Sequence, residues 1–174
     1  MSLLFNHHIM ENTNETTGGH ELFKVFVHNL NRLYFAKNYL NEQMPDLINM
    51  ASFNTLKLGM QEFWDDVKKQ IKRMKDIYAV INELPSDKNC NPIKAVIKEK
   101  FCLEEKHELP VLHDMDLIMY VQILEHINIA TYGLLITVAN RLNYDHVEQL
   151  MRECFDESVD NDELFDLITR EYIR

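Results

Sequence analysis

The sequence predicts an all-α protein built as an antiparallel four-helix bundle. Three observations predict it. The 174 residues contain only 4 glycines and 4 prolines, where average usage would give about twelve and about nine. Apolar residues recur at alternating steps of three and four along four long stretches, which is the period of one helix face. No period-two stretch stands out as a strand, and no internal repeat is visible.

Composition excludes several function classes. Scarce glycine and proline leave too few turns for an all-β sandwich or barrel. They also leave no glycine-rich loop to cradle a phosphate, as a Rossmann or P-loop domain requires. Hydrophobic residues make up 46% and charged residues 26%, the profile of a soluble globular domain. The net charge is −10, from 28 acidic and 18 basic residues. That balance argues against nucleic acid and anionic membrane as partners, since both select basic faces. No run of about 18 consecutive apolar residues exists to span a membrane.

The cysteines Cys90, Cys102 and Cys154 form no CxxC pair and leave one unpaired by count. This usage fits a reduced, cytoplasmic protein. The opening MSLLFNHHIM lacks the basic region and long apolar stretch of a secretory signal. Residues 1–19, ending in ENTNETTGG, are expected to be a flexible tail with the His7–His8 pair solvated. Residues 20–174 are expected to form the bundle.

The first helix is expected from Glu21 to Met50, with Leu22, Phe26, Leu30, Leu33, Leu40 and Met44 inward. Pro45 should kink its last turns. The second runs from Phe53 to Glu83, with Leu56, Met60, Phe63, Val67, Met74, Ile77 and Ile81 on one stripe. LPSDKNCNP, residues 84–92, is the main loop signal. A short helix follows, from Ile93 to Lys106, and Pro110 breaks the chain again. The third long helix runs from Asp114 to Leu142, with Leu117, Val121, Leu124, Thr131, Leu135, Val138 and Leu142 inward. The fourth runs from Tyr144 to Ile173, with Leu150, Cys154, Leu164 and Ile168 inward. Each long helix should measure roughly 45 Å. One long crossover, carrying one short extra helix between long helices 2 and 3, is the topology of ferritin-like bundles.

Polar residues interrupt all four seams near their midpoints. Lys37 lies between Leu33 and Leu40, and Gln70 lies between Val67 and Met74 with Asp66 one turn earlier. Glu125 and Asn128 lie between Leu124 and Thr131. Glu157 and Asn161 lie between Cys154 and Leu164, with Ser158 and Asp162 adjoining. In an antiparallel bundle midpoints share one level, so these residues should meet in the core. Buried carboxylates need a counter-charge. Metal ions supply it in di-iron carboxylate bundles, and the Lys37 ammonium offers a second answer. The plainer alternative is that Lys37 snorkels to water and each polar residue is a half-exposed flank.

The strings YFAKNYL (Tyr34–Leu40), WDDVKKQIKRM (Trp64–Met74), the Cys90 loop, LEHINIATYG (Leu124–Gly133) and RECFDESVDND (Arg152–Asp162) carry a resemblance. Over residues 21–170 the chain resembles the YciE/YciF-like family of bacterial, stress-associated ferritin-like bundles, which have no established activity. The most specific element is Glu125, His126, Ile129, Ala130, Tyr132 and Gly133. The resemblance implies a homodimer and, in many members, a carboxylate metal centre. Positions matching that pattern are Asp66, Gln70, Glu125, Glu157 and Asp162. Departures are Lys37 for a glutamate, Phe63 for a histidine, Asn128 for a glutamate and Ser158 for an acidic residue.

A dinuclear iron or manganese site needs several anionic oxygens or imidazoles to balance its charge. Here one ligand has become a cation, another a phenyl ring and a third an amide. The expectation is therefore a degenerate site with no cofactor, and a structural or protein-interaction role without catalysis. The alternative is an iron- or manganese-binding oxidoreductase that uses the surviving acids, or one weak metal on Glu125, Asp66 and Glu157. His126 points about 100° away from Glu125 around the helix and is not expected to ligate with it. Tyr132, Gly133, Trp64, Phe53 and Cys154 read as packing residues. The acidic run DESVDNDE is a solvated face or a partner-binding stripe.

Overall fold

A computed structural model describes residues 18–100, 103 and 107–174. Among these residues the secondary structure is five helices and no strand. Helix α1 spans Gly19–Met50, α2 Asn54–Ile81, α3 Pro92–Glu99, α4 Pro110–Arg141 and α5 Asp145–Tyr172. The expected tail up to residue 17 lies outside the described residues. The expected short helix ends at Glu99 instead of Lys106, because Lys100 turns into the left-handed region at φ 53°; residues 101, 102 and 104–106 lie outside the described residues. Gly19, assigned to the tail by the sequence, opens α1.

Each long helix packs on two others. α1 contacts α2 and α4, and α5 contacts α2 and α4, while α3 lies mainly against α1. The core fills from the seams already read. Phe26, Leu30, Leu33, Leu40 and Met44 are buried on α1, and Leu56, Met60, Phe63, Val67 and Met74 on α2. α2 and α5 approach closely at Gly59, where a Cβ would collide with Ile168 Cδ1.

As the sequence reading expects, α1 runs on past Pro45, which sits on its exposed side, to Met50. Two features differ from that reading. Pro110 opens α4 rather than merely interrupting the chain, because the first helical turn has no use for its missing N–H. The α5 seam is shifted by one residue. Val147, Met151, Cys154, Ser158, Asn161, Phe165 and Ile168 face inward, and Leu150 and Leu164 flank it. One residue is about 100° of rotation, so the shift exchanges Glu157 for Ser158 on the core side.

α4 is the most apolar helix. By length and composition it could cross a membrane, with a mean hydropathy of 1.3 over an 18-residue stretch. Here Leu117, Val121, Leu124, Leu135 and Val138 bury one side of it against the other helices.

The helix ends are fixed by buried polar groups. α2 has no side-chain cap of its own at Phe53. Asp114, fully buried on α4, does that work from across the core. Its carboxylate accepts from Ser52 N at 2.7 Å, Ser52 Oγ at 2.5 Å, Phe53 N at 3.1 Å and Tyr172 OH at 2.8 Å. One side chain thus ties the α1–α2 corner to the start of α4 and the end of α5, and Tyr172 also stacks on Phe53 at 4.3 Å. At the other end, buried Asn31 accepts from Tyr78 OH at 2.7 Å and from Ser86 N at 3.0 Å, which holds the 82–91 loop on α1. Asn91 caps α3 by accepting from Lys94 N at 3.1 Å. Removing the Asp114 carboxylate strands two backbone N–H groups at the α2 start. Asp114→Ala is expected to lower unfolding free energy by about 3 kcal/mol, the cost of losing charge-assisted bonds and leaving donors bare. Tyr172→Phe should cost about 1 kcal/mol. Urea denaturation of the two variants checks both.

Candidate functional site

The core of the molecule contains a buried polar cluster contributed by all four long helices. Lys37 lies on the α1 seam between Leu33 and Leu40, and its residue is 1% exposed. Its ammonium Nζ is 3.5 Å from Glu125 Oε1 on α4. It also stands 5.9 Å from the centroid of the Phe63 ring on α2, in cation–π range. Phe63 in turn packs edge-on against Phe165 of α5. A phenyl ring at this position therefore offers the ammonium a face, where an imidazole would offer a cation a lone pair.

Glu125 is fully buried. Its Oε1 accepts from Lys37 Nζ and, at 2.8 Å, from Asn128 Nδ2 one turn along α4. Gln70 of α2 donates to the Cys154 carbonyl at 3.4 Å and accepts from Tyr132 OH at 3.2 Å. Tyr132 is fully buried, and burial is the main reason its hydroxyl is held well above the usual range, with Cys154, Glu125 and Glu157 adding to the effect. Burial likewise pushes the Cys154 thiol up to about 12, against the pull of Arg73 and Lys37. Both groups are therefore protonated at neutral pH. Neither provides a thiolate or phenolate for nucleophilic or redox work.

The sequence candidates divide into two sets. Gln70, Glu125 and Asn128 meet Lys37 in the core, with Ser158 and Asn161 buried on α5. Asp66, Glu157 and Asp162 do not join them. Asp66 pairs with Lys69 at 2.8 Å on the flank of α2. Glu157 pairs with Arg73 at 2.7 Å, and Glu153 shares the same guanidinium at 2.9 Å, forming an ion-pair cluster between α2 and α5. Asp162 accepts from Gln122 Nε2 at 3.3 Å and lies 3.7 Å from His126 Nε2. Each carboxylate sits one helical position off its seam, so each has turned to a surface cation or donor. His126 is exposed and faces Asp162, away from Glu125. Trp64 donates from Nε1 to Asn41 Oδ1 at 2.8 Å. Asp114 and Asn31 were not singled out from the sequence. The signal for Asp114 was present, since it lies one turn before Leu117 on the same apolar stripe.

These residues do not fit a dinuclear iron or manganese centre. Such a centre requires several anionic oxygens or imidazoles around its ions. The cluster offers one carboxylate, already paired with an ammonium, and amides. Among the described residues no group of three or more His, Cys, Asp or Glu is placed to hold a metal ion. A surface pocket of about 260 Å³ lies elsewhere, between α1 and the 82–91 loop, lined in part by Phe23, His28, Glu83 and Asn89.

Fold and site together define an all-helical protein with a charge-paired polar cluster in its core. The chain belongs to the family described as Domain of unknown function (DUF892), which matches residues 21–174. It is 28% identical over 134 residues to Protein YciF of Escherichia coli (strain K12), across 76% of this chain and 81% of that protein. The crystal structure of the E. coli stress protein YciF superposes with a TM-score of 0.81 at 25% identity, covering 87% of this chain and 96% of that one. YcfI from Rhodopseudomonas palustris matches with a TM-score of 0.77 at 23% identity, covering 88% and 96%. The family resemblance read from the sequence is thus shown.

Lys37→Met removes the counter-charge from the buried Glu125 side chain, so it is expected to destabilise the protein by about 3–5 kcal/mol. The double variant Lys37→Met/Glu125→Met should recover most of that loss, as read by a double-mutant cycle in denaturant. The Cys154 thiol ionises near 9 in the unfolded chain and near 12 in the folded protein. Its contribution to stability is therefore complete below pH 9 and lost as pH rises towards 12. At pH 8 a thiol reagent should label exposed Cys90 and leave Cys154 unlabelled until denaturant is added.

Proposed function

We propose that this protein is an antiparallel, ferritin-like four-helix bundle whose carboxylate metal centre has given way to an internal ion pair, and that it acts without catalysis. The observation that carries the reading is Lys37, sealed in the core with its ammonium 3.5 Å from Glu125. A fixed cation supplies the counter-charge a metal ion would supply and repels any cation approaching the same carboxylate. The packing of α1 on α2 and α4, and of α5 on α2 and α4, supports the bundle. The likeness to YciF supports a stress-associated role. No cofactor is required by this reading.

The work of such a protein lies on its surface, in self-association or a protein partner. α4 exposes Leu112, Met119 and Leu134, an apolar strip suited to pairing two copies as a homodimer. Exposed Cys90 and buried Cys154 are both free thiols, in keeping with the cytoplasm. The net charge of −10 supports a partner other than nucleic acid or an anionic membrane surface.

A second reading, an iron- or manganese-binding oxidoreductase, draws on one observation. Glu125 Oε2 has no hydrogen-bond partner among the described residues. Metal analysis of protein expressed in iron- and manganese-supplemented medium separates the two. The proposal expects far less than one metal per chain and no peroxide or oxygen consumption above buffer. Near-stoichiometric metal that disappears in Glu125→Ala overturns it. Lys37→Glu, which removes the ammonium and adds a carboxylate, is expected to raise manganese affinity. Light scattering should give twice the 20.7 kDa chain mass, reduced to one chain by Met119→Glu.

A further inference from the structure

The geometry points to a binding site for one internal water molecule between α4 and α5, beside Glu125, Ser158 and Asn161. Three buried polar atoms in the core have no hydrogen-bond partner among the described residues: Glu125 Oε2, Ser158 Oγ and Asn161 Nδ2. Their residues are 0%, 0% and 3% exposed. Bulk water does not reach them, and buried polar groups are costly when left bare.

Helix register brings the three to one level. Ser158 and Asn161 are spaced i,i+3 and share the inward face of α5. Gln122 of α4 bonds Asp162 of α5, and Asn140 of α4 bonds Glu148 of α5. Residue numbers therefore rise along one helix as they fall along the other, and Glu125 comes level with the 158–161 turn. Glu125 Oε1 is turned to Lys37 and Asn128, which leaves Oε2 as the free acceptor.

The three atoms have complementary demands. The Asn161 amide nitrogen only donates, the Glu125 carboxylate oxygen only accepts, and the Ser158 hydroxyl does either. A water accepts from Asn161, donates to Glu125 and bonds Ser158. Three such bonds are typical of a buried water. Charge decides against a cation here. The Lys37–Glu125 pair is already neutral, and adding a positive ion would bury an uncompensated charge. The occupant is a small neutral molecule with both donor and acceptor capacity. The water extends the cluster from α1 and α4 to α5, so it acts as a structural link.

This inference rests on the metal-free reading above, and the experiment separates the two. A crystal structure of the wild-type protein is determined at a resolution that places waters, with further data at the iron and manganese absorption edges. The expected result is one peak within hydrogen-bond distance of all three atoms and no anomalous signal. An empty site overturns the water and leaves the metal-free reading standing. An anomalous peak overturns both. In solution, oxygen-17 relaxation dispersion counts long-lived waters. Ser158→Val places methyl groups where the hydroxyl bonds the water, so the amplitude is expected to fall by one molecule. Should that variant fail to fold, Asn161→Leu, which removes the amide donor and fills its space with methyl groups, gives the same readout. An unchanged amplitude in a folded variant overturns the site.

Discussion

A charge removed from water must meet its opposite at close range, and the middle of this protein is organised by that constraint. Glu125 and Lys37 are sealed from solvent on neighbouring helices. Neither is tolerable alone, since the burial of an isolated ion costs more than any packing gain at one residue returns. The pair therefore fixes the rotation of α1 and α4 together. A turn of either helix by one residue would move one partner to the surface and strand the other. Asn128 and the Phe63 ring complete the ammonium–carboxylate environment from α4 and α2. Tyr132, Gln70 and the Cys154 carbonyl add a neutral chain that runs from α4 through α2 to α5.

A second polar anchor secures the end of the molecule. Asp114 takes four hydrogen bonds from the α1–α2 corner and from Tyr172. It is fully satisfied, and Glu125 is not, because one of its oxygens is left over. The contrast has a simple origin. Asp114 meets backbone N–H groups at a helix start, which come ready-aimed. Glu125 sits mid-helix, where every backbone donor is already used and only side chains or water can serve. α4, the most apolar helix, thus carries both carboxylate residues that are buried among the described residues.

Helix number, order and approximate limits were legible in the sequence because long amphipathic seams repeat at a clear period. Lys37, Gln70, Glu125 and Asn128 were legible as core residues for the same reason, since each interrupts a seam in phase. Asp66, Glu157 and Asp162 were not separable from them by spacing alone. A residue one position off the seam looks like a seam residue when the phase is uncertain by about 100°. On α5 the phase was set from Leu150 and Leu164, which flank the core, instead of from Met151 and Phe165, which fill it. The error carried Glu157 inward and left Ser158 in a supporting position. The capping role of Asp114 depends on a contact between residues 52 and 114, and no local pattern announces it. The start of α4 is ambiguous in the sequence because a proline at a first turn and a proline after a helix leave the same mark.

The central claim is that a lysine ammonium holds the place at the Glu125 carboxylate against any metal cation. The most direct measurement is side-chain NMR of Lys37 Nζ and Glu125 Cδ during titration with manganese(II), whose paramagnetism broadens signals near the bound ion. The account predicts that both signals stay sharp at stoichiometric manganese while surface carboxylates such as Asp156 and Asp160 respond weakly and together. Selective loss of the Lys37 and Glu125 signals at one equivalent of manganese would contradict it.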